Sequence, residues 1–177
     1  MVSLHITDGI LGLHPASRSF KDSVQSLLPE LIDFRRQVHQ NPELSYLENK
    51  TTERIFRTLT EAGLAPKHLK GTGCYVDVGS GPMAAALRAD IDALPIQEET
   101  DLPYASQVDG VMHACGHDIH QTVMLGVAIA LHRLHQELPL GGTVRIIFQP
   151  AEEQLPGGAV GVIAQGILEG VPRAFAL

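Results

Sequence analysis

From residue 74 onward, short apolar runs alternate with helical patterns, and this alternation constrains the fold more than any other feature. Residues 74–78 and 83–89 read as strands parted by the turn Gly79-Ser80-Gly81-Pro82. Residues 95–112 have no period and are expected to form an irregular loop. A long helix follows from His117 to about residue 134, with Val123, Leu125, Val127, Ile129 and Leu131 along it. Gly141-Gly142 breaks it, and residues 143–148 read as a buried strand. Gly157-Gly158 opens another helix to about residue 168, and residues 174–177 begin a further strand. Such alternation predicts an α/β sandwich with a largely parallel sheet.

Two helical patterns precede Gly63. Residues 1–16 lack periodicity and read as a loose leader. From Ser19 an apolar stripe develops through Leu27, Leu28, Leu31, Ile32, Phe34, Arg35 and Val38, with Asp33 and Arg36 outside it. Pro29 suits a first turn, which predicts a helix start near Ser26, and Asn41-Pro42-Glu43 ends the helix. A second helix is expected over residues 46–62, with Ile55, Phe56 and Leu59 inward and Gly63 as its stop.

With 177 residues the chain suits one domain with a sizeable core. A net charge of −7 without any basic run argues against nucleic acid as a partner. Apolar stretches are short and interrupted by Gly, Pro or charge, so no membrane partner and no secretory signal are expected. Two cysteines, Cys74 and Cys115, do not make a disulfide framework, and a cytoplasmic location is the expectation. The absence of tryptophan argues against a stacking platform for sugars or single strands.

Three segments carry the chemistry. Asp90-Ile91-Asp92 lies just past a strand, where sites form in open α/β sheets, although solvated turn carboxylates would read the same way. In Met112-His113-Ala114-Cys115-Gly116-His117-Asp118, a thiol and an imidazole two residues apart offer two ligands to one metal. A buried Cys beside an incidental His, or a nucleophilic thiolate at a helix start, are the rival readings. His113 and His120 flank the pair; a direct metal bond is open for either, and His120 is also open to supporting, substrate-facing or solvated roles. In Gln149-Pro150-Ala151-Glu152-Glu153, adjacent carboxylates are costly unless a cation sits nearby, so one can bind metal while the other moves a proton. An exposed acidic turn is the alternative. Co-occurrence favours a shared site, because Asp92, Cys115, His117 and the Glu pair all fall past strands or at helix starts. His39 reads as a helix-end group and Cys74 as a small core residue.

These three motifs, with residues 34–45, resemble the metal-dependent amidohydrolases that include hippurate hydrolase, N-acyl-amino-acid aminoacylases and indole-acetyl-amino-acid hydrolases. The resemblance runs from about residue 27 to the end. It implies a three-layer α/β sandwich of the phosphorylase/hydrolase-like zinc exopeptidase type. It implies Cys115, His117 and Glu153 as metal ligands, Glu152 as general base, and Asp92 as the aspartate that orients the site. The implied cofactor is one or two divalent ions (zinc, manganese, cobalt or nickel). The implied reaction is hydrolysis of the amide bond of an N-acyl amino acid or short peptide, with a homodimer possible in a full-length parent.

That family continues past a strand like residues 173–177 into a ligand histidine, a lid domain and a further ligand histidine. The expected organisation is therefore a leader over residues 1–20 and the first half of a catalytic domain over 21–177, an incomplete fold without lid or second half. Two rivals accompany the amidohydrolase reading. One is a non-catalytic truncated fragment that binds metal weakly or not at all; the other is a thiol hydrolase using Cys115 with His117.

Overall fold

The apolar stripe through Leu27, Leu31, Phe34 and Val38 is one face of a single long helix, α1 (Pro15–Gln40). A computed structural model describes residues 15–177; of the leader expected over residues 1–20, residues 1–14 lie outside the described residues and residues 15–20 belong to α1. Pro29 therefore sits inside the helix, not in its first turn. It removes one backbone donor, but burial of the stripe on both sides of it outweighs that loss. Leu28 and Ile32, expected in the stripe, are exposed. The second helix, α2 (Asn49–Glu61), starts three residues later than expected, because Tyr46 adopts a left-handed φ of 66°. It buries Ile55 and Leu59 and ends before Gly63, which turns the chain at φ +87°.

Five strands form one mixed sheet: β1 (Lys67–His68), β2 (Cys74–Gly79), β3 (Met83–Asp90), β4 (Thr143–Gln149) and β5 (Ala174–Ala176), in the order β1-β2-β4-β3-β5. β3 runs parallel to β4 and β5, whereas β2 is antiparallel to β1 and β4. Parallel pairing thus occupies one half of the sheet. Strand β1 escaped the sequence pattern because it is only two residues long. α3 (His117–Glu137) packs with α1 and α2 over one face, where Val76, Val78, Ala89, Ile146 and Phe148 meet Leu125, Ala128 and Ile129. The opposite face carries α4 (Gly158–Ala164) over Ala86 and Ile147. α4 stops short of residue 168, where Gly166 turns the chain at φ +73°. Helices, sheet and helix make three layers. No described helix is long and apolar enough to cross a membrane.

Candidate metal centre

Two parallel strands with Asp90 opposite Gln149 start the site, because the loops leaving their carboxyl ends begin side by side. The first loop carries Asp92 and the second carries Glu152 and Glu153. Gly116, at φ +89°, takes the left-handed turn that lets Cys115 and His117 converge at the start of α3. One ligand atom each from Cys115, His117 and Glu153 lies within 4.8 Å of the other two. Glu152 Oε2 stands 4.0 Å from His117 Nε2. All five residues singled out from the sequence therefore meet at one rim.

Asp92 holds this arrangement. Its side chain is fully buried. Oδ2 accepts the Ser45 hydroxyl at 2.6 Å and the Glu153 backbone N–H at 3.0 Å. Its backbone carbonyl and Oδ1 lie 3.0 and 3.2 Å from His117 Nδ1. Both are acceptors, so Nδ1 carries the ring proton and Nε2 presents a lone pair. Carboxylates surround that Nε2, with Asp90 Oδ1 at 3.5 Å and Glu153 Oε1 at 3.7 Å, and a ligand atom each of Asp90, His117 and His120 also lies within 4.8 Å of the other two. Burial pushes the Asp92 carboxyl up, but hydrogen bonds from His117, Ser45 and the Glu153 and Glu152 backbone outweigh it and hold the group well below the usual carboxylate range. Burial pulls His117 down, but the Asp92 hydrogen bond and the charges of Asp90 and Asp92 raise it above an ordinary imidazole.

The donor set fits a divalent cation. A thiol, an unpartnered imidazole nitrogen and a carboxylate are the ligand types of catalytic zinc sites, which use three protein ligands and keep one position open. Without a cation the Cys115 thiol is pushed up, first by its hydrogen bond to Glu153, then by burial and the charges of Glu153, Asp90 and Glu152. A cation among these groups reverses that sign and makes the crowded acids mutually supportive.

Two anchoring residues carried no expectation. Glu48 is fully buried and accepts the Ala151 N–H at 2.7 Å and the Thr72 hydroxyl at 2.6 Å, fixing the loop that leads to the Glu pair. Ser45 braces Asp92. No local pattern marks them, because Ser45 and Glu48 are interleaved with Leu44, Tyr46 and Leu47 in the turn between the two helices. His39, expected as a helix-end group, does close α1 but is buried, with Nδ1 2.7 Å from Asp118 Oδ2 and Nε2 3.1 Å from Glu98 Oε1. It ties the loop over residues 95–112 to the first turn of α3. His113 is buried with both ring nitrogens unpartnered, and burial drives it down to about 4.

Residues 86–177 match the family model described as peptidase family M20/M25/M40. The chain belongs to that family. It is 49% identical to the N-acetylcysteine deacetylase of Bacillus subtilis, covering 83% of this chain and 39% of that one. It is 42% identical to thermostable carboxypeptidase 1 of Saccharolobus solfataricus, covering 89% of this chain and 41% of that one. The crystal structure of the Bacillus subtilis YXEP protein, described as a dinuclear metal-binding peptidase of the M20 family, superimposes with a TM-score of 0.80 at 45% identity, covering 86% of this chain and 43% of that one. The chain spans about two fifths of the length of these relatives.

Proposed function

We propose that this chain carries the metal-binding and proton-transfer half-site of a metal-dependent amidohydrolase acting on N-acyl amino acids or short peptides. The observation that carries the reading is the convergence of Cys115, His117 and Glu153 with Glu152 beside them. Relatives named deacetylase and carboxypeptidase support amide hydrolysis as the reaction class. One or two ions of zinc, manganese, cobalt or nickel suit the sulfur, nitrogen and oxygen donors. Retention in a reducing cytoplasm suits a ligand thiol that is exposed and free.

Cys115, His117 and Glu153 would hold the cation, which when bound would polarise the scissile carbonyl and acidify a water molecule. Glu152 takes a proton from the attacking water as the water oxygen bonds to the carbonyl carbon. Glu152 then hands the proton to the amide nitrogen as the C–N bond breaks, giving a carboxylic acid and a free amine, between which the remaining acid proton redistributes. Its side chain is 43% exposed, which leaves it free to reach both atoms. Asp92 keeps the His117 proton on Nδ1 throughout.

A second reading, metal binding without turnover, draws on the same convergence of Cys115, His117 and Glu153. Metal content and release of amino acid from N-acetyl and N-benzoyl amino acids decide between them. The hydrolase reading expects stoichiometric zinc or manganese lost in Cys115→Ala, chelator-sensitive turnover, and a Glu152→Gln variant that keeps metal but is slowed about a thousandfold. Metal without turnover in the wild-type chain supports the second reading. Chelator-resistant turnover abolished by a thiol alkylator would replace both with thiol chemistry.

A further inference from the structure

Asp90 differs from the other acidic groups at the rim, because protein already neutralises it. Arg88 Nη1 donates to Asp90 Oδ2 at 2.6 Å, and Arg88 Nε donates to Gln149 Oε1 at 3.0 Å. The other oxygen, Asp90 Oδ1, faces His120 Nδ1 at 2.8 Å. A carboxylate paired with a guanidinium accepts and does not donate, so the His120 proton sits on Nδ1. In the neutral ring Nε2 is then a lone-pair acceptor. That nitrogen has no partner among the described residues and is not enclosed, in contrast to those of His113. The His120 side chain is 32% exposed, and its ring stacks on His117 at 5.5 Å and 29°.

A fixed, unused acceptor therefore stands beside a ligand imidazole. In a trans secondary amide the carbonyl oxygen and the N–H point in opposite directions. A group that draws the oxygen toward His117 leaves the N–H needing an acceptor about one peptide unit away. The separation of the two rings, 5.5 Å, is on that scale, since a peptide unit spans about 3.8 Å between Cα atoms.

We propose that His120 is a substrate-binding residue whose Nε2 accepts the amide N–H of the scissile bond, with Asp90 as its positioning residue. The site would then take N-acylated primary amines over N-alkylated ones. This inference rests on the hydrolase reading above.

Two measurements test it. The first needs neither metal nor substitution. Two-bond 1H–15N NMR of the chain at about pH 8, where an ordinary imidazole is neutral, should show His120 as the Nδ1–H tautomer. The Nε2–H tautomer would overturn the proposal. The second is calorimetric binding to the zinc-loaded chain in the Glu152→Gln background, comparing N-acetylglycine with N-acetylsarcosine, its N-methyl analogue. Loss of one hydrogen bond predicts about a tenfold preference for N-acetylglycine. His120→Ala should abolish that preference without lowering zinc content.

Equal binding of both ligands, a preference that survives His120→Ala, or zinc loss in that variant each sinks the inference alone. Binding of neither ligand sinks the hydrolase reading and takes the inference with it. The wild-type tautomer and the ligand preference at intact His120 remain decisive even where His120→Ala fails to fold.

Discussion

Asp92→Asn keeps the shape of the side chain and replaces one acceptor oxygen with an NH2 donor. Every orientation of the new amide is penalised. If the NH2 takes the Oδ2 position, it faces the Glu153 N–H and the Ser45 hydroxyl, and the backbone N–H cannot turn away. If it takes the Oδ1 position, it faces His117 Nδ1, which must then give up its proton to Nε2. That moves a proton onto the nitrogen a metal needs. Hydrogen bonds to a charged acceptor contribute about 1.5–3 kcal/mol each, so the loss of one to two of them predicts a stability decrease of about 3 kcal/mol. Disturbing a residue that orients a ligand histidine lowers metal affinity about 10- to 100-fold. Urea unfolding of the metal-free chain reads the first effect, and zinc competition against a chelating dye reads the second. Asp92 is held below its ordinary value of 3.8, so its contribution is present above that pH and fades as pH falls through the lower folded-state value. The wild-type advantage should therefore hold at neutral pH and shrink in strong acid. A variant within about 0.5 kcal/mol of wild type, with unchanged zinc affinity, would refute this account of the site.

Gly158→Ala should cost about 2–3 kcal/mol and weaken metal binding, because a Cβ there would lie 1.9 Å from the Pro150 carbonyl oxygen, on the loop that carries Glu153. Gly161→Ala, whose Cβ meets nothing within 4 Å, should be neutral or stabilising by up to about 1 kcal/mol; thermal unfolding of both variants checks the contrast. Burial raises Glu48 above its ordinary value of 4.5 despite hydrogen bonds from Thr72 and Ala151. A raised carboxyl contributes stability below that value and loses it as pH rises through the folded-state value, so wild type should lose stability relative to Glu48→Gln from about pH 4.5 upward. Unfolding free energies measured across that range should diverge; a constant difference would mean that Glu48 does not titrate in this environment.

Legibility in the sequence followed covalent proximity. Cys115, Gly116 and His117 lie within one turn, so their convergence needs only local backbone geometry, and the motif announced it. The Glu pair was legible as a cost, since two adjacent acids imply a compensating cation. Tertiary packing decided what local rules misjudged. Pro29 reads as a helix start on propensity, yet the stripe from Leu27 to Val38 carries α1 straight through it. The turn over residues 79–82 joins strands adjacent in sequence, but β4 lies between them in the sheet. That insertion sets Asp90 opposite Gln149, and without it the Asp92 loop and the Glu152–Glu153 loop would not begin together.

The anchors were the least legible because their partners are far away in the chain. Ser45 reaches Asp92 across 47 residues, and Glu48 reaches Ala151 across 103. Both lie in the turn between α1 and α2, outside the three motifs. Each supplies a buried polar contact that would be costly to leave unpaired. The ligand geometry is therefore a property of the α1–α2 turn as much as of the motifs. It follows that Ser45→Ala, which touches no candidate ligand, should weaken zinc binding by loosening Asp92. The expected loss is smaller than in Asp92→Asn, because the bond from the Glu153 N–H and the contact with His117 Nδ1 remain. Zinc competition on the two variants side by side tests that ordering. An affinity in Ser45→Ala equal to wild type would confine the support of the site to the motifs themselves.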